Sequence, residues 1–294
     1  MKLTIFSKQD CTLGEGPLWH TQRQSLFWVD IHNQWVYEKK IDSIEPNYDA
    51  QWRIPYIVTA LFESSDKQNL YLLTNHSLGK LSLNNGHYTP LVKLNLNHKF
   101  RTNDAGIAPD GSIWFGIMQK QPTLTIGEVY SISPSGVLKK QLEGIGIPNT
   151  FCWSNNGQYF YLTDSLTQKM YRYNINKNQL EIDSKMIFID LSTTNATPDG
   201  GAMDQSNQLW NAQWGDFNVK SYNALGQESM TIELPIIQPS CCCFGGSQLN
   251  ILFITSAKEG LDKNQIKRSP YSGFTFMLEL PANYGCPINQ FDLI

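Results

Sequence analysis

One pattern recurs six times along the 294 residues and limits the folds open to this chain. A short apolar strand with an aromatic second residue begins at Leu26, Leu70, Ile113, Phe160, Leu209 and Leu252. The segments read LFWVD, LYLLT, IWFGI, FYLTD, LWNAQ and LFITS, with Phe27, Tyr71, Trp114, Tyr161, Trp210 and Phe253 at the shared place. Successive starts lie 44, 43, 47, 49 and 43 residues apart. A second, alternating strand follows each one, from Trp35, Gly79, Gly127, Lys169, Asn218 and Phe274. Alternation at period two marks half-buried strands joined as hairpins, and long amphipathic helical windows are absent. A period of ~40–50 residues with several strands in each predicts a β-propeller. Six repeats of 49 residues use the whole chain. The expectation is therefore an all-β, six-bladed β-propeller, a single closed domain over residues 1–294. Closure is required because an open stack of blades would leave bare sheet edges. A pair of β-sandwiches is the alternative, but its strands would not share one regular spacing.

Composition narrows the function classes. Hydrophobic residues make up 41% and charged residues 17%, the reverse of a disordered chain. The net charge of −3, with no basic cluster denser than that at Lys39 and Lys40, argues against nucleic acid and against an anionic membrane. No window approaches the ~20 apolar residues of a membrane span. The amino-terminal MKLTIFSKQD holds a four-residue apolar run, short of the ~7 of a secretory leader, so a soluble cytoplasmic protein is expected. No obligate protein partner is evident. The cysteines (Cys11, Cys152, Cys241, Cys242, Cys243 and Cys286) form no CxxC pair and read as small buried thiols.

About ten residues before each aromatic strand lies a shorter one, rich in small residues: EGPLWH, TALFESS, NDAGIAPD, PNTFCWSN, PDGGAMDQ and SCCCFGGS. In a propeller the innermost strand lines a narrow channel, which suits small side chains. Counting back 10 or 11 residues from the aromatic strands gives Glu15, Asn103, Asn149 and Asp199, with the other two positions near Thr59 and Cys241. Equivalent positions of a radial repeat form a ring, so four side-chain oxygens should converge at one mouth of the channel. Taken singly, Asn and Asp beside Pro or Gly are ordinary turn formers. Four coincident positions favour a cation site instead. Two carboxylates there need a counter-ion. Oxygen donors suit Ca²⁺, Mg²⁺ or Mn²⁺ and tolerate Zn²⁺ or Fe²⁺, without distinguishing one divalent metal ion from another. None of the five histidines falls in this register.

The same segments resemble the family of gluconolactonases, regucalcin and luciferin-regenerating proteins. The likeness is carried by GEGPLW from Gly14, LFWVDI from Leu26, RTNDAGIAPDGSIWFGIM from Arg101, GEVYSISPSG from Gly127, PNTFCWSNNGQYFYLTDS from Pro148, PDGGAMDQSNQLWNA from Pro198 and CCFGGSQLNILFITSA from Cys242. It spans nearly the whole chain. The resemblance implies a six-bladed propeller with a divalent metal in the channel, ligands matching Glu15, Asn149 and Asp199, and a substrate-contacting pair matching Arg101 and Asn103. It implies a hydrolase of carbohydrate metabolism acting on a sugar lactone, and leaves the sugar open. Three residues beyond Met118, where some relatives place a substrate-binding Glu, this chain has Gln121; the PNG element reads Pro148, Asn149, Thr150.

The chemistry follows from these groups. A lactone needs a polarised carbonyl and an activated water. A divalent cation can supply the first, and Asp199 is the candidate general base, with a role purely as ligand left open. Arg101 can donate to sugar hydroxyls or a developing oxyanion, and Asn103 can orient a hydroxyl. Asp104 should face the other way and bond backbone. Trp114 and Trp210 hold the repeat position and read as core. No G-x-S-x-G elbow, P-loop or dinucleotide fingerprint is present. The alternatives are a non-catalytic propeller that binds calcium or a partner, and a hydrolase of other esters.

Overall fold

The computed structural model describes residues 2–176, 181–281 and 284–294. Among them, 24 strands form six four-stranded antiparallel sheets, the blades of a β-propeller. Five blades are consecutive in the chain. The sixth is completed by the amino-terminal strand Leu3–Ser7, which pairs with Thr275–Glu279 as its outermost member. The apolar run LTIF is thus the strand that closes the ring. Among the described residues no helix is long and apolar enough to cross a membrane.

The repeat has a packing cause. Six hydrophobic clusters are found among the described residues, each spanning one pair of neighbouring blades. Successive side chains of a strand point to opposite faces. Phe27 and Val29 therefore pack toward the second blade, while Leu26 and Trp28 pack toward the sixth. The aromatic-bearing strands are buried on both faces, which is why they read as continuous apolar runs. All six repeat aromatics are buried, Trp114 and Trp210 among them. Their indole N–H groups donate to Ser112 Oγ at 3.1 Å and Asp204 Oδ2 at 2.9 Å, so both belong to the core.

Each blade also has an outermost strand that the repeat does not reveal. Five follow the hairpins, at Ala50–Arg53, Tyr88–Lys93, Leu138–Ile145, Glu181–Asp190 and Glu228–Glu233. They are largely exposed, carry Lys, Glu and Asp, and share no fixed aromatic. Charge on an edge strand discourages pairing with another chain.

The innermost strands are Gly14–His20, Val58–Glu63, Phe100–Ile107, Pro148–Trp153, Thr197–Met203 and Pro239–Gly245, matching the six small-residue segments. Every one of them breaks register with its neighbour at the same level of the channel. Such bulges re-aim side chains and recur beside functional sites. Glu15 and Asn149 immediately precede their irregularities, and Asn103 and Asp199 lie within theirs.

Candidate active site at the channel mouth

The bulges bring Glu15, Asn103, Asn149 and Asp199 to one level of the channel, each from a different blade. Asn103, Asn149 and Asp199 are buried, and Glu15 and Arg101 are half-buried. A directional hydrogen-bond relay links three blades. Arg101 Nη1 donates to Asn103 Oδ1 at 2.7 Å, and Asn103 Nδ2 donates to Asn149 Oδ1 at 2.7 Å and to Pro148 O at 3.1 Å. Asn149 Nδ2 donates to Ser165 Oγ at 2.8 Å, and Ser165 Oγ donates to Pro198 O at 2.7 Å. Because the serine proton is committed to a carbonyl, Ser165 Oγ must accept from Asn149. Both amide orientations are thereby fixed, and Asn149 Oδ1 keeps one lone pair for another partner.

The carboxylates are electrostatically crowded. Burial, reinforced by the charge of Asp104, pushes Glu15 up to about 8. Burial and the charges of Glu15 and Asp104 raise Asp199 well above the ordinary carboxylate range. Asp104 is raised by burial to about 6, while backbone donors pull it back. Its Oδ1 accepts from Ala105 N at 2.7 Å and its Oδ2 from Thr150 N at 2.8 Å, so it bonds backbone as expected. Burial pulls Arg101 down, opposed by Glu259, Glu15 and Asp199. Removing the protons from these acids without a compensating positive charge is costly, which is the condition a bound cation relieves. Two carboxylates and an oriented amide oxygen are hard donors and fit Ca²⁺ or Mg²⁺ chemistry. Among the described residues no group of three or more His, Cys, Asp or Glu side chains forms a metal site. The candidate donor set has two such residues, its third member being Asn149.

Gln121 stands apart. It is exposed on the loop that leaves Ile113–Gln119 at the Arg101 end, since Met118 pairs with Arg101. That places it at the rim rather than in the ring. The rim also holds a pair absent from the repeat register: His32 Nε2 lies 2.6 Å from Glu259 Oε1. The hydrogen bond to Glu259 raises His32, and the bond to His32 lowers Glu259. These residues sit on connecting loops, where periodicity carries no signal. Thr150, Ser165 and Asn211 are further members of the network that residue counting did not single out.

Beyond the ring, toward the other end of the channel, lies a cavity of about 800 Å³ whose lining includes Cys286, Pro287, Ile288 and Asn289. Cys152, Cys241, Cys242 and Cys243 line it. All six thiols are free, and all but Cys286 are buried.

A family profile described as "SMP-30/Gluconolactonase/LRE-like region" matches residues 13–258. The chain belongs to this family. It is 26% identical over 279 residues to an L-arabinolactonase of Azospirillum brasilense, covering 94% of this chain and 91% of that protein. It is 25% identical to regucalcin of Oryctolagus cuniculus, over 95% and 94% of the two chains. The structure of a calcium-binding regucalcin from Agrobacterium tumefaciens superposes with a TM-score of 0.90 at 25% identity, over 99% of this chain and 96% of that one. The family members thus include lactonases, and the propeller is shared across nearly the full length.

Proposed function

We propose that this protein is a divalent-cation-dependent hydrolase that opens a sugar lactone to the aldonic acid. The observation that carries the reading is the joining of two kinds of group in one relay. Asn149, one of the three cation donors, is hydrogen-bonded to Asn103 and through it to Arg101, a coupling that a purely structural ion would not need. Relatives named as lactonases support the reaction class.

Glu15, Asn149 and Asp199 would hold the cation, which when bound supplies Lewis acidity toward the lactone carbonyl. Asp199 accepts the proton of the attacking water, the role open to a carboxylate held beside the cation. Arg101 spends one guanidinium nitrogen on Thr102 O and Asn103 Oδ1, leaving further N–H groups for the lactone oxygens. Asn103 is held by Arg101 and Asn149 so that a substrate hydroxyl meets a fixed amide. The bulge geometry gives these groups their preorganisation.

The test is a pH-stat assay over a panel of aldonolactones and simple alkyl lactones, with and without chelator. Acid release above the spontaneous rate on sugar lactones, abolished by chelation and restored by added cation, is the expected result. No release on any lactone, with calcium still bound, would establish a binding propeller instead. Preference for alkyl lactones would reassign the substrate class.

A further inference from the structure

Thr150 has φ +58°, a left-handed conformation that a β-branched residue rarely adopts. The corresponding position after Glu15 in the first blade is Gly16, at φ +54°, where no side chain is strained. The chain thus keeps a threonine where glycine is the unstrained choice. What the side chain does there is specific. Its hydroxyl donates to the backbone carbonyl of Asp199. It accepts from Thr163 Oγ1 at 3.0 Å and from Asn211 Nδ2 at 2.9 Å. One donor and two acceptor sites are all a hydroxyl has, so Thr150 is fully committed. Asn211 Nδ2 also donates to Asp199 O at 2.7 Å. The side chain is wholly buried.

We propose that Thr150 is a positioning residue, whose hydroxyl fixes the Asp199–Gly200 peptide and so aims the Asp199 carboxylate at the channel mouth. The fourth blade thereby does two things with adjacent residues: Asn149 presents an amide oxygen, and Thr150 holds the carboxylate-bearing bulge of the fifth blade. Because the hydroxyl acts on the backbone of Asp199, it leaves that side chain free for cation or water. The catalytic consequence rests on the reading of Asp199 as base; the structural one does not.

The test compares Thr150→Gly, which removes the hydroxyl together with the strain at φ, and Thr150→Ser, which keeps the hydroxyl. Crystal structures of the parent and Thr150→Gly should show the Asp199 carboxylate displaced by more than about 0.5 Å, the tolerance of a working site. On a sugar lactone, Thr150→Gly should lower kcat by about 100-fold with KM little changed, as a misplacement near 1 Å does. Thr150→Ser should hold kcat within about threefold of the parent. A merely structural role predicts that kcat follows thermal stability; the positioning role predicts that Thr150→Gly melts within a few degrees of the parent yet turns over slowly. An Asp199 carboxylate left in place, or a Thr150→Gly variant with parental kcat, overturns the proposal. A displaced carboxylate in a protein whose parent hydrolyses no lactone sustains the positioning role and sinks the lactonase reading.

Discussion

Cation binding at the channel mouth must expel protons, and the number is set by the electrostatics of the ring. Glu15, ordinarily at 4.5, is held at about 8 by burial and by the charge of Asp104. At pH 7 the cation-free site then has about ten protonated Glu15 carboxyls for each ionised one. A divalent cation binds the ionised form, so each binding event releases about one proton from Glu15. Asp199, raised in the same direction, adds a further contribution. We expect at least about one proton released per cation at pH 7, measured by calorimetry in buffers of different ionisation enthalpy. The apparent Kd should tighten by up to about tenfold per pH unit per proton until pH approaches 8. The same shift has a sign for stability. A carboxyl raised in the folded state binds more protons than in the unfolded chain between 4.5 and about 8. Cation-free protein should therefore lose stability as pH rises through that window, by up to about 1.4 kcal/mol per unit for each such group. Added cation should abolish the slope. Cation binding without proton release, with a Kd flat from pH 6 to 8, would refute the placement of Glu15 in the site.

Three further outcomes are expected. Asp199→Asn should cut kcat by about 10²- to 10⁴-fold, the usual worth of a general base. Its melting temperature in cation-free buffer at pH 8 should stay at or above the parental one, because the bonds from Thr150 and Asn211 run to its backbone carbonyl. Arg101→Lys, assayed by steady-state kinetics, should raise KM by about tenfold, since one ammonium cannot both hold Asn103 and present the remaining guanidinium N–H groups to the lactone. Phe6→Ala should destabilise by about 3–5 kcal/mol in chemical denaturation, because this closing-strand ring packs edge-on to Phe253 at 4.9 Å between the first and last blades.

Much of this architecture is legible before folding is considered. The number of blades, the identity of the innermost strands and the level of the ring all follow from spacing, because each blade repeats the same burial problem against its neighbours. Glu15, Asn103, Asn149 and Asp199 could be named together for that reason alone. The outermost strands could not. Only one face of each packs, so Glu181–Asp190 and Leu138–Ile145 carry charge patterns free to differ between blades. Nor could LTIF be read as the closing strand, since its partner lies at the far end of the chain and Leu3 meets Leu278 only when the ring shuts.

The finer chemistry belongs to the tertiary structure. Amide direction at Asn103 and Asn149 depends on Ser165 and Pro198 O, which come from different parts of the sequence. The rim pair of His32 and Glu259 joins residues more than two hundred positions apart through loops that obey no period. Thr150 looks like any strand threonine until its φ and its three hydroxyl partners are seen. Periodicity records which faces are buried, and that is a local property of the chain. The proton affinities and orientations of the groups at the mouth depend on which charges and carbonyls several blades bring to one place, and only the closed ring sets those distances.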